Sequence, residues 1–187
     1  MTGRTALIIP DAGPLISLGK ADRLEVLLKP GLPLYIVDQV LYEATRDPRH
    51  VDARRIAAFV RSNNPAVRTF ETEVGRAAAA RRAAGETGRQ RGQGEAALAE
   101  FLARLDEGLD HADDRALLLF EDSDIRTGVF LTGANVDLVS TRALLRWLER
   151  RRLIRSAEEI WQAIEAAGRE PSAADVDTRP PGLAEET

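Results

Sequence analysis

Short apolar runs alternate along this chain with longer stretches of helical periodicity, and this alternation constrains the fold more than any other feature. Each apolar run is four to six residues long, which is typical of a strand buried on both faces. The runs lie at 5–10, 34–37, 116–120 and 136–139. Between and after them, apolar residues that recur with a period of about 3.6 predict helices. Because strands that alternate with helices form parallel sheets, we predict an α/β fold: a three-layer α/β/α sandwich with a central, mainly parallel sheet.

The composition is that of a globular domain with an aliphatic core. Of the 187 residues, 44% are hydrophobic but only 5% are aromatic. A chain of this length buries enough apolar surface for one core, so we predict a single domain over 1–168. The remaining residues, 169–187, are rich in Pro, Ala, Asp and Glu, and we predict that this tail is disordered.

Several classes of protein are excluded by what the sequence lacks. Cysteine is absent and only two histidines are present, which excludes disulfides, thiolate nucleophiles and imidazole-based zinc clusters. Any metal must therefore be held by oxygen ligands. No apolar stretch approaches the ~20 residues of a membrane helix, and the N-terminus lacks the pattern of a signal peptide, so we expect a cytoplasmic protein with no membrane partner.

The charge is mildly acidic overall but unevenly distributed. A net charge of −4 argues against unspecific adhesion to nucleic acid, which depends on many basic groups. Arginine is nevertheless concentrated at 76–91 and 142–155. A local basic track for a polyanion is compatible with this pattern.

Acidic residues stand at separate places where predicted strands end or predicted helices begin. Asp11 and Asp122 each follow a strand. Glu43 lies one turn inside the helix after the second strand, and Glu95 lies in the first turn of its own helix. Because the carboxyl ends of parallel strands meet at one edge of a sheet, we expect these side chains to converge although they are far apart in sequence.

The turn after the strand at 116–120 carries three acids within four residues. In an extended backbone, residues 122 and 124 point to one side and Glu121 to the other. We therefore assign Asp122 to the site, take Asp124 as an accessory residue, and leave Glu121 out.

Convergent carboxylates need a positive charge. At an effective dielectric of ~20, two of them about 4 Å apart repel by about 4 kcal/mol, which Mg²⁺ or Mn²⁺ would offset. A cation of this kind activates water against a phosphorus centre, so the pattern favours a metal-dependent phosphodiesterase. Each acid also has a plainer explanation, as a turn residue, a helix cap or a favourable charge at a helix N-terminus.

Five segments, in this order, resemble one known family. They are IIPDAGPLISLGKADRLEVL, IVDQVLYEAT, GQGEAALAEFLA, ALLLFEDSDIR and VDLVSTRALLRWLERRRLI. Together they resemble the PIN-domain nucleases, whose best-known members are the VapC-type toxins of bacterial toxin–antitoxin pairs. The resemblance covers roughly 6–153, and although each segment alone is weak evidence, their order makes the likeness specific.

The resemblance implies a PIN-like fold and a Mg²⁺- or Mn²⁺-dependent endoribonuclease, the toxin of a toxin–antitoxin pair or a relative of one. Carried over to this sequence, the catalytic, metal-binding acids are Asp11, Glu43, Glu95 and Asp122, with Asp124 as a further metal ligand. The implied partners are an RNA substrate, a cognate antitoxin protein and a second copy of the chain.

Apolar positions on the first helices, Leu15, Leu18 and Leu24, are candidates for the face of that homodimer. Two other functions stay open at this stage. One is a PIN-like scaffold without turnover that binds RNA or protein. The other is a phosphotransfer domain with Asp11 as nucleophile, which the sequence supports less because no suitably placed acid or lysine accompanies Asp11.

Overall fold

A computed structural model of the chain describes residues 4–86, 92–105, 114–121, 135–170 and 175–179. Within these residues five strands form one sheet, and every neighbouring pair is parallel. In chain order the strands are β1 (Thr5–Pro10), β2 (Leu34–Val37), β3 (Val67–Phe70), β4 (Arg115–Phe120) and β5 (Val136–Ser140). Across the sheet the order is β3-β2-β1-β4-β5, so β1 lies at the centre.

Helices cover both faces of the sheet. The described α-helices are α1 (Ala12–Lys20), α2 (Asp38–Thr45), α3 (Val51–Ser62), α4 (Glu73–Ala83), α5 (Gln93–Ala103), α6 (Thr141–Arg150) and α7 (Ala157–Ala166), and a 3₁₀ helix spans Leu24–Leu28. In β4 the residues from Ala116 to Phe120 are all buried. Because consecutive residues of a strand point to opposite faces, this burial requires a layer of helices on each side. The predicted three-layer α/β/α sandwich with a parallel sheet is confirmed.

The register of β1 against β4 sets where the acidic residues leave the sheet. Pro10 pairs with Leu119, and the N–H of Asp11 donates to the Leu119 carbonyl at 2.9 Å. The pairing thus extends one residue beyond β1. Asp11 and Glu121 therefore emerge at the same edge of the sheet, the one at the carboxyl ends of the strands.

Helix α1 begins earlier than the sequence suggested, at Ala12 rather than Leu15. Pro14 does not prevent this start, because the first N–H groups of a helix have no partner within the helix. The result is that α1 begins immediately after Asp11.

The proposed dimer face on the first helices is wrong. Leu15 and Leu18 are completely buried and Leu24 is 6% exposed, so all three belong to the core. Their spacing matches one apolar helix face, and that face packs inward rather than against a second copy. The sequence pattern could not distinguish these two uses of an apolar face.

Asp38 fixes the start of α4 relative to α2. Its carboxylate accepts hydrogen bonds from the N–H of Thr72 at 3.0 Å and from the Thr72 hydroxyl at 2.9 Å. Thr72 in turn caps α4 by accepting from the N–H of Gly75 at 2.8 Å. Gly75 is needed there, since a Cβ would lie 2.0 Å from Asp38 Oδ2. Helix α4 is thereby held beside the face of α2 that carries Glu43.

Part of the C-terminal segment is ordered against the sheet. Val176 and Thr178 exchange backbone hydrogen bonds with β5, and Arg179 is only 7% exposed, with its guanidinium 4.9 Å from the Trp147 ring centroid. The described stretch 175–179 thus differs from the disorder expected for 169–187. Its polar composition concealed the backbone pairing, which depends on the edge of β5 rather than on apolar side chains. No helix in the described ranges has the length and apolar character needed to cross a membrane.

Candidate functional site

Asp11 stands at the centre of the candidate site. It has extended backbone angles (φ −75°, ψ 174°) at the N-terminus of α1, and its side chain makes no capping hydrogen bond to that helix. Capping is the plainest structural role for an aspartate in this position. The geometry of Asp11 therefore leaves its carboxylate available for another role.

The pKa of Asp11 is raised from 3.8 to about 6. Burial is the largest cause, and the negative charges of Glu43, Glu95 and Glu121 raise it further, whereas the N–H of Ala12 opposes the shift. The side chain is partly buried and keeps contact with solvent. Glu43 on α2, Glu95 on α5 and Glu121 at the end of β4 therefore each lie close enough to Asp11 for their charges to act on it.

Two glycines at the start of α5 make room for two of these acids. The N–H of Gly94 donates to Glu43 Oε1 at 3.2 Å, and a Cβ at Gly94 would lie 2.8 Å from Glu43 Oε2. Gly92 has a φ of +77°, and a Cβ there would lie 3.1 Å from Glu95 Oε2. Glu95 is in the first turn of α5, as predicted, and is exposed. Any side chain at Gly94 would displace the carboxylate of Glu43.

Glu121 is the acid that sequence reasoning left out. It is 5% exposed and its Oε2 accepts a hydrogen bond from the Ser17 hydroxyl at 2.6 Å. Arg169 reaches the same pair, with Nη2 at 3.5 Å from Glu121 Oε2 and Nε donating to Ser17 Oγ at 3.0 Å. Gly13 makes room for the Glu121 side chain, since a Cβ there would lie 3.2 Å from its Cβ and 3.4 Å from its Oε2. Two small residues four positions apart on α1, Gly13 and Ser17, are the sequence signal that could have indicated a buried side chain at this place.

The sequence left Glu121 out because an extended strand points it away from residues 122 and 124. In the structure α1 lies against this side chain, which is buried and hydrogen-bonded to Ser17. Asp122 and Asp124, which the sequence favoured, lie outside the described residues.

One carboxylate oxygen of Glu121 accepts no hydrogen bond from the residues that the structure describes. Burial raises the pKa of Glu121, whereas Ser17 and the positive charge of Arg169 lower it. Thr141 lies near enough to favour the charged form as well, but within the described part of the chain neither Glu121 Oε1 nor Thr141 Oγ1 has a partner with hydrogen-bond geometry.

The described acids supply only oxygen ligands, which suits a hard divalent cation. Among the residues that the structure describes, no three acidic or histidine side chains are grouped closely enough to hold one ion by themselves. No model of a known protein family matches the chain, and a comparison with curated proteins finds no match. The chemistry of the site is therefore inferred from its own residues.

Proposed function

We propose that this protein is a Mg²⁺- or Mn²⁺-dependent endoribonuclease that hydrolyses phosphodiester bonds of RNA. The observation that carries the proposal is the placement of Asp11 at the carboxyl edge of the sheet, close enough to Glu43, Glu95 and Glu121 for their charges to act on it. Mutually repelling carboxylates gathered at the carboxyl edge of a parallel sheet are expected where a cation or a reacting group is bound.

A divalent cation fits the donors present. Asp11, Glu43 and Glu95 would hold it, together with Asp122 and Asp124. When bound, such a cation activates water and offsets the negative charge of the phosphate. A positive charge at this place would also relieve the repulsion that raises the pKa of Asp11, so cation binding and proton release from Asp11 are linked.

The protein's own residues position the acids. The Gly94 amide orients Glu43 by donating to its Oε1. The hydrogen bond from Ser17 to Glu121, supported by Arg169, fastens α1 to the end of β4 and so fixes the turn that carries Asp11. In this arrangement Glu121 supports the site, because its Oε2 is already engaged by Ser17 and Arg169.

The biological class that we propose is a toxin of a toxin–antitoxin pair or a relative of one. An antitoxin would inhibit such an enzyme by placing a basic or amphipathic segment into the acidic crevice. The same crevice would admit single-stranded RNA, whose unpaired backbone can follow a narrow surface that a duplex cannot.

Cleavage of RNA in Mn²⁺ tests the proposal, with EDTA and an Asp11→Asn variant as controls. Asp22→Asn is a matched substitution at an exposed aspartate whose pairing partner is Arg55. We expect the wild type and Asp22→Asn to cleave at equal rates and EDTA to stop cleavage. The cleavage rate of Asp11→Asn should be lower by roughly 100-fold or more. Cleavage that survives both EDTA and Asp11→Asn would refute the proposal. Tight RNA binding without cleavage would instead support a scaffold without turnover.

A further inference from the structure

Beside the acidic cluster, an arginine lies over an exposed aromatic ring. The guanidinium carbon of Arg82, in the last turn of α4, is 3.7 Å from the centroid of the Tyr42 ring. Tyr42 is 37% exposed and immediately precedes Glu43. At this distance the cation is attracted by the ring face, which holds the guanidinium in place at the surface.

A buried glutamine fixes this arginine to the site. Gln39 is 3% exposed, its Oε1 accepts from Arg82 Nη1 at 3.4 Å, and its Nε2 donates to Gln93 Oε1 at 3.1 Å. Gln93 directly precedes Gly94, whose amide holds Glu43. One chain of contacts therefore connects Arg82 on α4 with the first turn of α5.

The spacing on α2 places the basic and acidic groups side by side. Gln39, Tyr42 and Glu43 are related as i, i+3 and i+4, so they share one face of the helix. Gln39 and Tyr42 engage Arg82, and Glu43 belongs to the cluster around Asp11. The guanidinium and the carboxylates consequently border the same strip of surface.

The charge of Arg82 is available to a ligand. Within the described residues, Arg82 has no carboxylate partner, whereas Arg76 pairs with Glu73 and Arg169 pairs with Glu121. Stacking on a ring leaves the edge of a guanidinium able to donate, and the planar fork of N–H groups matches the oxygens of a phosphate.

We propose that Arg82, stacked on Tyr42 and held by Gln39, is a phosphate-binding subsite that positions a single-stranded RNA along the acidic cluster. The proposal rests on the proposed function, since it names how that substrate is held. Because Tyr42 supports one face of the guanidinium, an unpaired base can stack on the opposite face of that plane, which favours a single strand over a duplex. Arg82 is a positioning residue and takes no part in the chemistry.

RNA binding without cleavage tests this subsite. The probe is a fluorescein-labelled oligouridylate of about twelve nucleotides, titrated in EDTA at several salt concentrations with protein carrying Asp11→Asn. We expect Arg82→Ala to weaken binding by roughly 5- to 10-fold and to reduce the slope of log K against log salt by about 0.7, the value for one phosphate contact on a single strand. Arg82→Lys should keep the slope but lose part of the affinity, because the charge remains and the fork is lost.

Tyr42 and a distant arginine supply the controls. Tyr42→Phe should bind like the parent, whereas Tyr42→Ala should weaken binding by several-fold because Arg82 loses its platform. Arg68→Ala is the matched control, since Arg68 also lies over a tyrosine, Tyr35, at 5.8 Å but near the start of β3 rather than at the site. An Arg82→Ala protein with unchanged affinity and salt slope would overturn the subsite, and so would an equal loss in Arg68→Ala.

The failure of this subsite can be told apart from failure of the nuclease. Binding that depends on Arg82 in a protein that never cleaves would leave the subsite standing and remove the proposed function. Metal-dependent cleavage together with RNA binding that does not change in Arg82→Ala would support the proposed function and exclude the subsite. A duplex of the same length should bind more weakly than the single strand, and a preference for the duplex would contradict the assignment.

Discussion

The backbone N–H of Gly94 donates to Oε1 of Glu43 at 3.2 Å, which joins α5 to α2 at the place where both helices supply an acid. The distance is short enough to orient Glu43, and the absence of a side chain at Gly94 gives its other oxygen room. Position 94 therefore tolerates only glycine without a shift of Glu43, because the backbone of α5 contacts this side chain of α2 directly.

Gly94→Ala should impair cleavage without unfolding the protein. Its Cβ would lie 2.8 Å from Glu43 Oε2, so the carboxylate must move. Alanine itself suits a helix better than glycine by up to about 1 kcal/mol, so stability should be retained. We expect cleavage to fall by roughly 10-fold or more, measured on the same RNA as the wild type.

Ala96→Gly separates the effect on Glu43 from an effect on helix stability. Ala96 is exposed on α5, two residues after Gly94. The substitution should lower the free energy of unfolding by about 1 kcal/mol and leave cleavage unchanged. If Gly94→Ala cleaves like the wild type, Glu43 is not held as we describe.

Asp11 should lower the stability of the metal-free protein as the pH rises through the acidic range, whereas Asp47 and Glu100, whose pKa values are lowered, act in the opposite direction. The pKa of Asp11 rises from 3.8 to about 6 on folding, so between these values the folded protein keeps a proton that the unfolded chain has released. Raising the pH therefore favours unfolding. Asp11 does not change the free energy of unfolding below pH 3.8, and it lowers that free energy by its full amount above about pH 6.

Urea unfolding of wild type and Asp11→Asn between about pH 4 and about pH 7 measures this contribution, which should reach about 2 to 3 kcal/mol. Glu121 shifts in the same direction, since burial raises its pKa, so the comparison with Asp11→Asn is needed to isolate Asp11. A difference between the two proteins that stays constant across this range would show that Asp11 titrates normally.

Arg169 should stabilise the fold through Glu121. Arg169→Ala leaves a buried carboxylate with Ser17 as its remaining hydrogen-bond partner among the described residues, so we expect a loss of about 1 to 3 kcal/mol near neutral pH. In a Glu121→Gln background, Arg169→Ala should lower the free energy of unfolding by clearly less, because no buried negative charge is then left without the guanidinium. Urea unfolding of the four proteins gives the coupling, and strictly additive losses would exclude the interaction.

The fold could be predicted from the sequence because its signals are local. Apolar runs such as 34–37 and 116–120 specify strands buried on both faces, and their alternation with helices specifies a parallel sheet. The same topology predicted that Asp11, Glu43 and Glu95 would interact, since it places the ends of strands at one edge.

What could not be predicted depends on contacts between distant segments. Glu121 was left out because strand alternation points it away from residues 122 and 124. Its partners, Ser17 and Arg169, lie on α1 and beyond the end of α7, and local alternation carries no information about them. The burial of Leu15 is similar, because an apolar face looks the same in sequence whether it meets the core or another protein. The pairing of Thr178 with β5 uses backbone groups, which leave no mark in the composition.

The central claim is that Asp11, Glu43 and Glu95 contribute, together with Asp122 and Asp124, to one cation-binding site, and paramagnetic broadening by Mn²⁺ tests it most directly. In two-dimensional amide spectra of the wild type, small additions of Mn²⁺ should first broaden the signals of residues around Asp11, Glu43 and Gly94, three segments far apart in sequence. The same additions to Asp11→Asn should leave those signals sharp. Broadening that begins elsewhere, or that persists unchanged in Asp11→Asn, would contradict the account.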